Sequence, residues 1–270
     1  MLSILKTRSG HELSSLGLAG NPEGIPACVS EALKAGINAY FFYNLTFEYM
    51  VDGLRQVAAD QRDTLFFSTG TEQRDTGVVT DYFEQVREAL KTEVLDACFC
   101  EYVAPGDDLE EVLAVLEELH RWKALGKIRF VGASVHDRDL ASQLIELGRI
   151  DVLMLRYNMA HRKSEETVLP AAQRRGIPVI SFTNTRWGSL LKGHKKWPHP
   201  VPKAADCYRF VLRHPAVKVA WTAPASPAEL RANLPVLAAP RMTGDEVAQW
   251  KTYGDLIYGD GKDAFETRWP

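Results

Sequence analysis

The chain has 270 residues, 46% of them hydrophobic, enough to bury a sizeable core in one or two domains. Its 32 basic and 35 acidic residues give a formal net charge of −3. Neither half is strongly basic, which argues against a general nucleic-acid or membrane-binding surface.

Along the chain, the opening "MLSILKTRSGHELSSLG" has neither the long apolar core nor the cleavage pattern of a signal peptide. No apolar run is long enough for a membrane span, so the expected compartment is the cytoplasm. Turn chemistry at "RSGHE" predicts that the first 13 residues form a hairpin closing the bottom of a barrel. Strand-like apolar runs follow at 15–20, 37–44, 64–70, 95–102, 128–134, 151–158, 178–184 and 217–223, with helix-sized segments between them. The clearest helix is 107–126, where Leu109, Val112, Leu113, Leu116 and Leu119 recur at helical spacing, Asp107 or Asp108 can cap the start and Gly126 the end. Continuous apolar strands imply burial on both faces and hence a parallel sheet. Eight such β–α units with nothing left for a second domain predict a single α/β domain over 1–270. Its fold class is a (β/α)8 TIM barrel with an N-terminal hairpin and an extra C-terminal helix at 242–257, capped by Thr243. An open doubly wound sheet would want a phosphate loop after an early strand, and "GLAGNPEG" has its glycines at the wrong spacing.

The four cysteines, Cys28, Cys98, Cys100 and Cys207, form no CxxC and lack neighbouring ligands. They are expected to be buried thiols, with no metal site. At the predicted C-terminal strand ends stand Tyr43, Asn44, Glu101, Tyr102, Ser134, His136, Arg156, Thr183, Asn184 and Arg186. Barrel enzymes place their chemistry at that face. Glu101 ends an apolar strand, where desolvation raises a carboxyl pKa and makes it an acid or base; the alternative is an ion pair with Arg156 or Arg186. Tyr43 shares strand parity with Phe41, Ala39 and Ile37 and points inward; the alternative is a packed aromatic with its hydroxyl satisfied. Glu101 and Tyr43 are therefore the catalytic candidates.

Four stretches, "ALKAGIN" (32–38), "ALGKIRFVGASVHDRDL" (124–140), "IDVLMLRYNM" (150–159) and "HPAVKVAWTAPASPAELRANL" (214–234), resemble the aldo-keto reductase family in order and spacing. The resemblance implies a barrel oxidoreductase that reduces a small carbonyl-type substrate with a nicotinamide cofactor. In that family a tyrosine donates the proton, a lysine and an aspartate tune it, and a histidine orients the carbonyl. Carried over position by position, the aspartate falls on Phe41 and the tyrosine on Thr46, with Phe47 and Tyr49 as alternative occupants. The lysine falls on Gly70 and the histidine on Glu101.

The same resemblance assigns cofactor contacts to Ser134, Phe182, Arg186, Gly188, Ser189 and Asn233. Val135, Met154 and Ala232 replace further contacts, and Ala223 and Glu229 stand where a cationic clamp on the NADP phosphate is expected. The implied cofactor is a weakened NAD(P)(H) site, NADH over NADPH. The leading expectation is a divergent reductase with a non-standard proton donor. The alternatives are a cofactor-independent isomerase or lyase using Glu101 and Tyr43, and a non-catalytic pseudoenzyme that binds a ligand. The sequence specifies neither the substrate nor the oligomeric state.

Overall fold

Short runs of apolar, β-branched and aromatic residues, separated by segments of helical periodicity, fold in strict alternation. The computed structural model describes residues 5–260; residues 1–4 and 261–270 of the expected unit lie outside the described residues. In chain order the elements are β1 (Leu16–Ala19), α1 (Pro26–Lys34), β2 (Ala39–Phe42), α2 (Glu48–Gln61), β3 (Phe66–Thr71), α3 (Thr76–Leu90), β4 (Leu95–Val103) and α4 (Leu109–Ala124). There follow β5 (Ile128–Val135), α5 (Arg138–Leu147), β6 (Val152–Arg156), α6 (Val168–Arg175), β7 (Val179–Phe182), α7 (Ala204–Leu212), β8 (Val217–Thr222), α8 (Pro227–Asn233) and α9 (Gly244–Tyr258). Each strand pairs in parallel with the next, and β8 pairs with β1, closing a (β/α)8 barrel.

The predicted strands all form, within a residue or two of the expected ends. Asp75, Asp108 and Asp137 accept backbone N–H groups at the starts of α3, α4 and α5, the capping role short acidic side chains fill. Asp108 is thus the α4 cap, while Asp107 accepts from Arg74. At α9, Thr243 and Glu246 form a reciprocal capping box.

Strand alternation sorts the core into two layers. Outward residues, including Cys98 and Cys100, pack beneath the helices with Leu116, Leu119 and Trp122. Inward residues fill the barrel with Ala39, Phe41, Phe66, Ala97, Phe99, Val152, Met154, Ile180, Val219 and Trp221. The inward parity assigned to Tyr43 holds back to Ala39. Ile37 precedes β2 and packs in the outer layer instead. Small residues oppose large ones: a Cβ on Gly132 would collide with the Phe99 ring, and one on Gly17 with Trp221. Each large apolar side chain buried here contributes about 2 kcal/mol.

The barrel bottom is closed as expected. Lys6 bridges Glu12 in an antiparallel turn, and Leu5 enters the inner core. Arg129 donates to the Lys6 carbonyl at 2.8 Å and to Asp96 at 2.6 Å. Asp96 is fully buried and also accepts from Arg62 at 2.8 Å and the Phe67 amide at 2.7 Å. At the opposite end α9 packs close to the loop after β6, where a Cβ on Gly254 would overlap the Met159 carbonyl. Tyr253 donates to the Leu190 carbonyl at 2.7 Å. This helix therefore fixes the loops after β6 and β7 at the mouth.

Candidate active site

A cleft of about 780 Å³ opens at the C-terminal end of the barrel. Phe41, Tyr43, Glu101, Tyr102, Ser134 and Met154 line its inner part, and Phe182, Thr183, Asn184 and Trp221 continue the wall. The cleft then passes Trp187, Gly188 and Leu191 and reaches Ala204 and Glu229 near the starts of α7 and α8.

Glu101 is placed by the parity of β4, two residues beyond Phe99. It is 1% exposed, and its Oε1 makes no hydrogen bond. Its carboxyl fills the space over Gly70: a Cβ added there would overlap Glu101 Cδ and Oε1 and lie 2.5 Å from Cγ. Burial, then the charge of Glu72, raises the Glu101 pKa well above the ordinary carboxyl value. The ion pairs with Arg156 or Arg186 that the sequence left open do not form. Arg186 donates to the Ile257 carbonyl at 2.7 Å, and Arg156 lines a second, neighbouring cleft. The strand end that carries Glu101 is pinned by Arg74, which donates to the carbonyls of Glu101 at 2.7 Å and Tyr102 at 2.8 Å and pairs with Asp107.

Tyr43 lines the cleft at 36% exposure, with its ring against Phe47 at 5.0 Å and Phe41 at 6.4 Å. Burial and the charges of Glu101 and Glu72 raise its pKa. No hydrogen bond joins it to Glu101. Phe41 stacks on Trp221, with centroids 5.6 Å apart and 23° from parallel, so the family's aspartate position is part of an apolar wall.

The six cofactor candidates divide. Ser134, Phe182 and Gly188 line the cleft. Arg186, Ser189 and Asn233 do not. Arg186 turns toward α9, and Ser189 donates to the Arg186 carbonyl. Asn233 is 2% exposed and donates to Thr222 Oγ1 at 3.1 Å. Their hydrogen bonds make them supports of the loops rather than groups that face the cleft. The loop itself is strained: Thr183, Arg186 and Trp187 have φ of 50°, 52° and 48°, conformations non-glycine residues hold only under surrounding constraint and often near function. Asn158 donates to the Thr183 carbonyl at 2.9 Å and Asn184 to the Trp221 carbonyl at 2.9 Å, which supplies part of that constraint.

His136 lies between the two clefts, its ring 4.9 Å from Phe182 and 5.5 Å from Tyr102. Burial, then the neighbouring Arg156, lowers its pKa to about 3, so the imidazole stays neutral. The second cleft, about 630 Å³, is polar. Arg162 pairs there with Asp255 and Lys251 with Glu165.

Sequence reasoning missed Trp221 and Arg74. Trp221 carried a signal, its inward parity with Val219; Arg74 carried none. Buried polar atoms without a partner cluster near the mouth: Glu101 Oε1, Thr183 Oγ1, Asn184 Oδ1 and Trp221 Nε1. Such atoms are costly unless something meets them. Among the described residues, no group of His, Cys, Asp and Glu could hold a metal ion, and no helix is long and apolar enough to cross a membrane.

The barrel is similar to solved structures of low sequence identity. One is the holo form of aldo-keto reductase AKR11C1 from Bacillus halodurans, at TM-score 0.77 and 16% identity over 94% of this chain and 96% of that one. Another is an aldo/keto reductase from Klebsiella pneumoniae in complex with NADP and acetate, at TM-score 0.73 and 18% identity over the same shares, 94% and 96%. A curated relative, the NADH-specific methylglyoxal reductase of Escherichia coli (strain K12), is 26% identical over an alignment of 162 positions that covers 52% of this chain. The match spans about half of that relative, 48% of its length. The model of the Aldo/keto reductase family matches residues 27–206, two-thirds of the sequence, and the chain belongs to that family.

Proposed function

We propose that the chain is an NADH-dependent oxidoreductase, one barrel unit over 1–270, that reduces a small carbonyl-type compound with Glu101 as the proton donor. The observation that carries this reading is the buried Glu101 carboxyl, with its Oε1 unpartnered, in the same cleft as the accessible ring of Phe182.

The residues present fit a nicotinamide dinucleotide without a 2′-phosphate. Phe182 offers a ring face for the nicotinamide. Ser134 offers a hydroxyl, and Thr183 Oγ1 and Asn184 Oδ1 are polar atoms in need of partners. The cleft has the length to continue past Gly188 to the start of α7 and to Glu229. A carboxylate there suits the hydroxyls of a ribose and repels a phosphate in their place. Glu229 Oε2 accepts from the Ala225 amide at 2.9 Å, which orients it. The 26% identity to an NADH-specific reductase agrees with this preference. When bound, the cofactor supplies a hydride.

The chain supplies the proton. An ionised carboxylate in this desolvated position is costly, so burial favours the protonated form of Glu101, which can donate its proton to the substrate heteroatom, as protonated carboxyls do in apolar enzyme sites. Phe41 and Trp221 exclude water from the inner wall, and Arg74 holds the strand end that aims the donor. Tyr43 lines the same inner part of the cleft. Its raised pKa makes it a poorer donor than Glu101 at neutral pH.

Titrating the protein with NADH and NADPH by fluorescence quenching, followed by turnover of methylglyoxal, tests the reading. NADH binding that exceeds NADPH binding, with turnover lost in Glu101→Gln, is the expected result. Binding of neither nucleotide would transfer the site to the second reading, cofactor-free acid–base chemistry. Among the described residues no Lys or Arg side chain lines the cleft wall, which favours that alternative.

A further inference from the structure

The charges on the cleft are of one sign. Among the described residues that line it, the Asp, Glu, Lys and Arg side chains are Glu23, Glu101 and Glu229, all acidic. At the inner end the remaining surface is largely aromatic, with Phe41, Tyr43, Tyr102 and Trp221 in the wall. The place on β3 from which a cationic side chain could reach the reacting group is Gly70, and the Glu101 carboxyl fills the space above it.

This polarity bears on which bond can be reduced. Hydride addition to a C=O places negative charge on oxygen, and a site for that reaction aims cations and hydrogen-bond donors at it. Here, among the described residues, the cleft wall offers an oxyanion no cation. If Glu101 gives its proton to a carbonyl oxygen, an ionised carboxylate also remains in a desolvated pocket with no cation beside it. A C=N acceptor reverses both terms. Its nitrogen is far more basic than a carbonyl oxygen, and on taking the proton it becomes an iminium cation paired with the new carboxylate. Aromatic faces attract such a cation.

We propose that the bond reduced in this cleft is the C=N of an imine, which Glu101 converts to its iminium form. The proposal rests on the NADH-dependent reading above and narrows its substrate class. The proton moves from the Glu101 carboxyl to the imine nitrogen. A bound reduced nicotinamide would supply the hydride for the new C–H bond at the imine carbon, the C=N π pair becoming the nitrogen lone pair. The products are an amine and the oxidised nicotinamide, and Glu101 regains its proton from water. Reduction of the carbon is balanced by oxidation of the nicotinamide.

The test has a binding arm and a turnover arm. With NADH saturating, calorimetry compares benzyltrimethylammonium with its uncharged isostere neopentylbenzene. The cation should bind about tenfold more tightly, and Tyr43→Leu should remove much of that preference without unfolding the barrel. Equal binding, or tighter binding of the hydrocarbon, overturns the proposal. In turnover, dihydroisoquinoline is compared with the similarly shaped ketone tetralone. The expected kcat/KM ratio favours the imine by about a hundredfold. NADH binding with ketone turnover equal to or above that of the imine overturns the imine assignment and leaves the reductase reading standing. Failure to bind NADH overturns both.

Discussion

Gly70 and Glu101 share one space: the carboxyl from β4 stands where a side chain on β3 would begin. The missing Cβ on one strand is thus a condition for the buried acid on the next. Gly70→Ala should push the carboxyl aside, because its end is the part that can yield. We expect a fall in kcat/KM on the order of a hundredfold, the usual cost of misplacing a catalytic group by about 1 Å. The stability loss should be about 1 kcal/mol. Steady-state kinetics beside a denaturant melt would check this; activity close to the parent's would show that the carboxyl position does not matter.

Glu101→Gln keeps the shape and removes the proton. Turnover should drop by about 10²- to 10⁴-fold. The variant should also change how stability depends on pH. The folded-state pKa of Glu101 is raised by burial and by Glu72 above the ordinary 4.5. The folded state therefore binds more protons than the unfolded state over that window, and stability declines as pH rises above about 4.5 toward the raised value. Denaturant midpoints across pH should show this decline in the parent and a flatter profile in Glu101→Gln. Parallel profiles would mean that Glu101 ionises freely in the folded chain.

The barrel was legible because strand and helix periods are local signals. Continuous apolar runs such as 95–102 mark strands buried on both faces, and Asp108 and Thr243 mark helix starts by their capping chemistry. The inward direction of Glu101 followed from counting alternate residues. Its occupation of the space above Gly70 did not, because that depends on how β3 and β4 are staggered. Arg186 and Asn233 read as cofactor contacts by position alone. The left-handed turn at Arg186 sends its guanidinium to α9, and Thr222 takes the Asn233 amide. Those outcomes depend on hydrogen-bond partners that spacing does not specify.

Glu229 is the most direct handle on cofactor choice. Its carboxylate, oriented by the Ala225 amide, opposes a 2′-phosphate. Glu229→Gln should leave NADH affinity within about twofold and raise NADPH affinity by about fivefold, the upper size of one charge contact at an exposed site. Paired fluorescence titrations would measure both. Unchanged NADPH affinity would place the phosphate elsewhere in the cleft.

The last prediction concerns the closed end of the barrel, where no chemistry is proposed. Asp96 is fully buried, and two guanidinium groups depend on it. Burial lowers the Arg62 pKa, and the charge and hydrogen bond of Asp96 counter that effect. Removing the carboxylate leaves the Arg62 cation largely buried without its counter-charge and deprives the Phe67 amide of its acceptor. Breaking a buried pair from one side costs about 3–5 kcal/mol, so Asp96→Ala should lower stability by that order. Asp96→Asn should lose less, since the amide oxygen can still accept from Phe67. NADH affinity of the folded fraction should be unchanged in both, because the site lies at the opposite end of the strands. Urea denaturation of the two variants measures the difference. A loss below about 1 kcal/mol in Asp96→Ala, the scale of an exposed pair, would show that water reaches the barrel bottom and screens these charges.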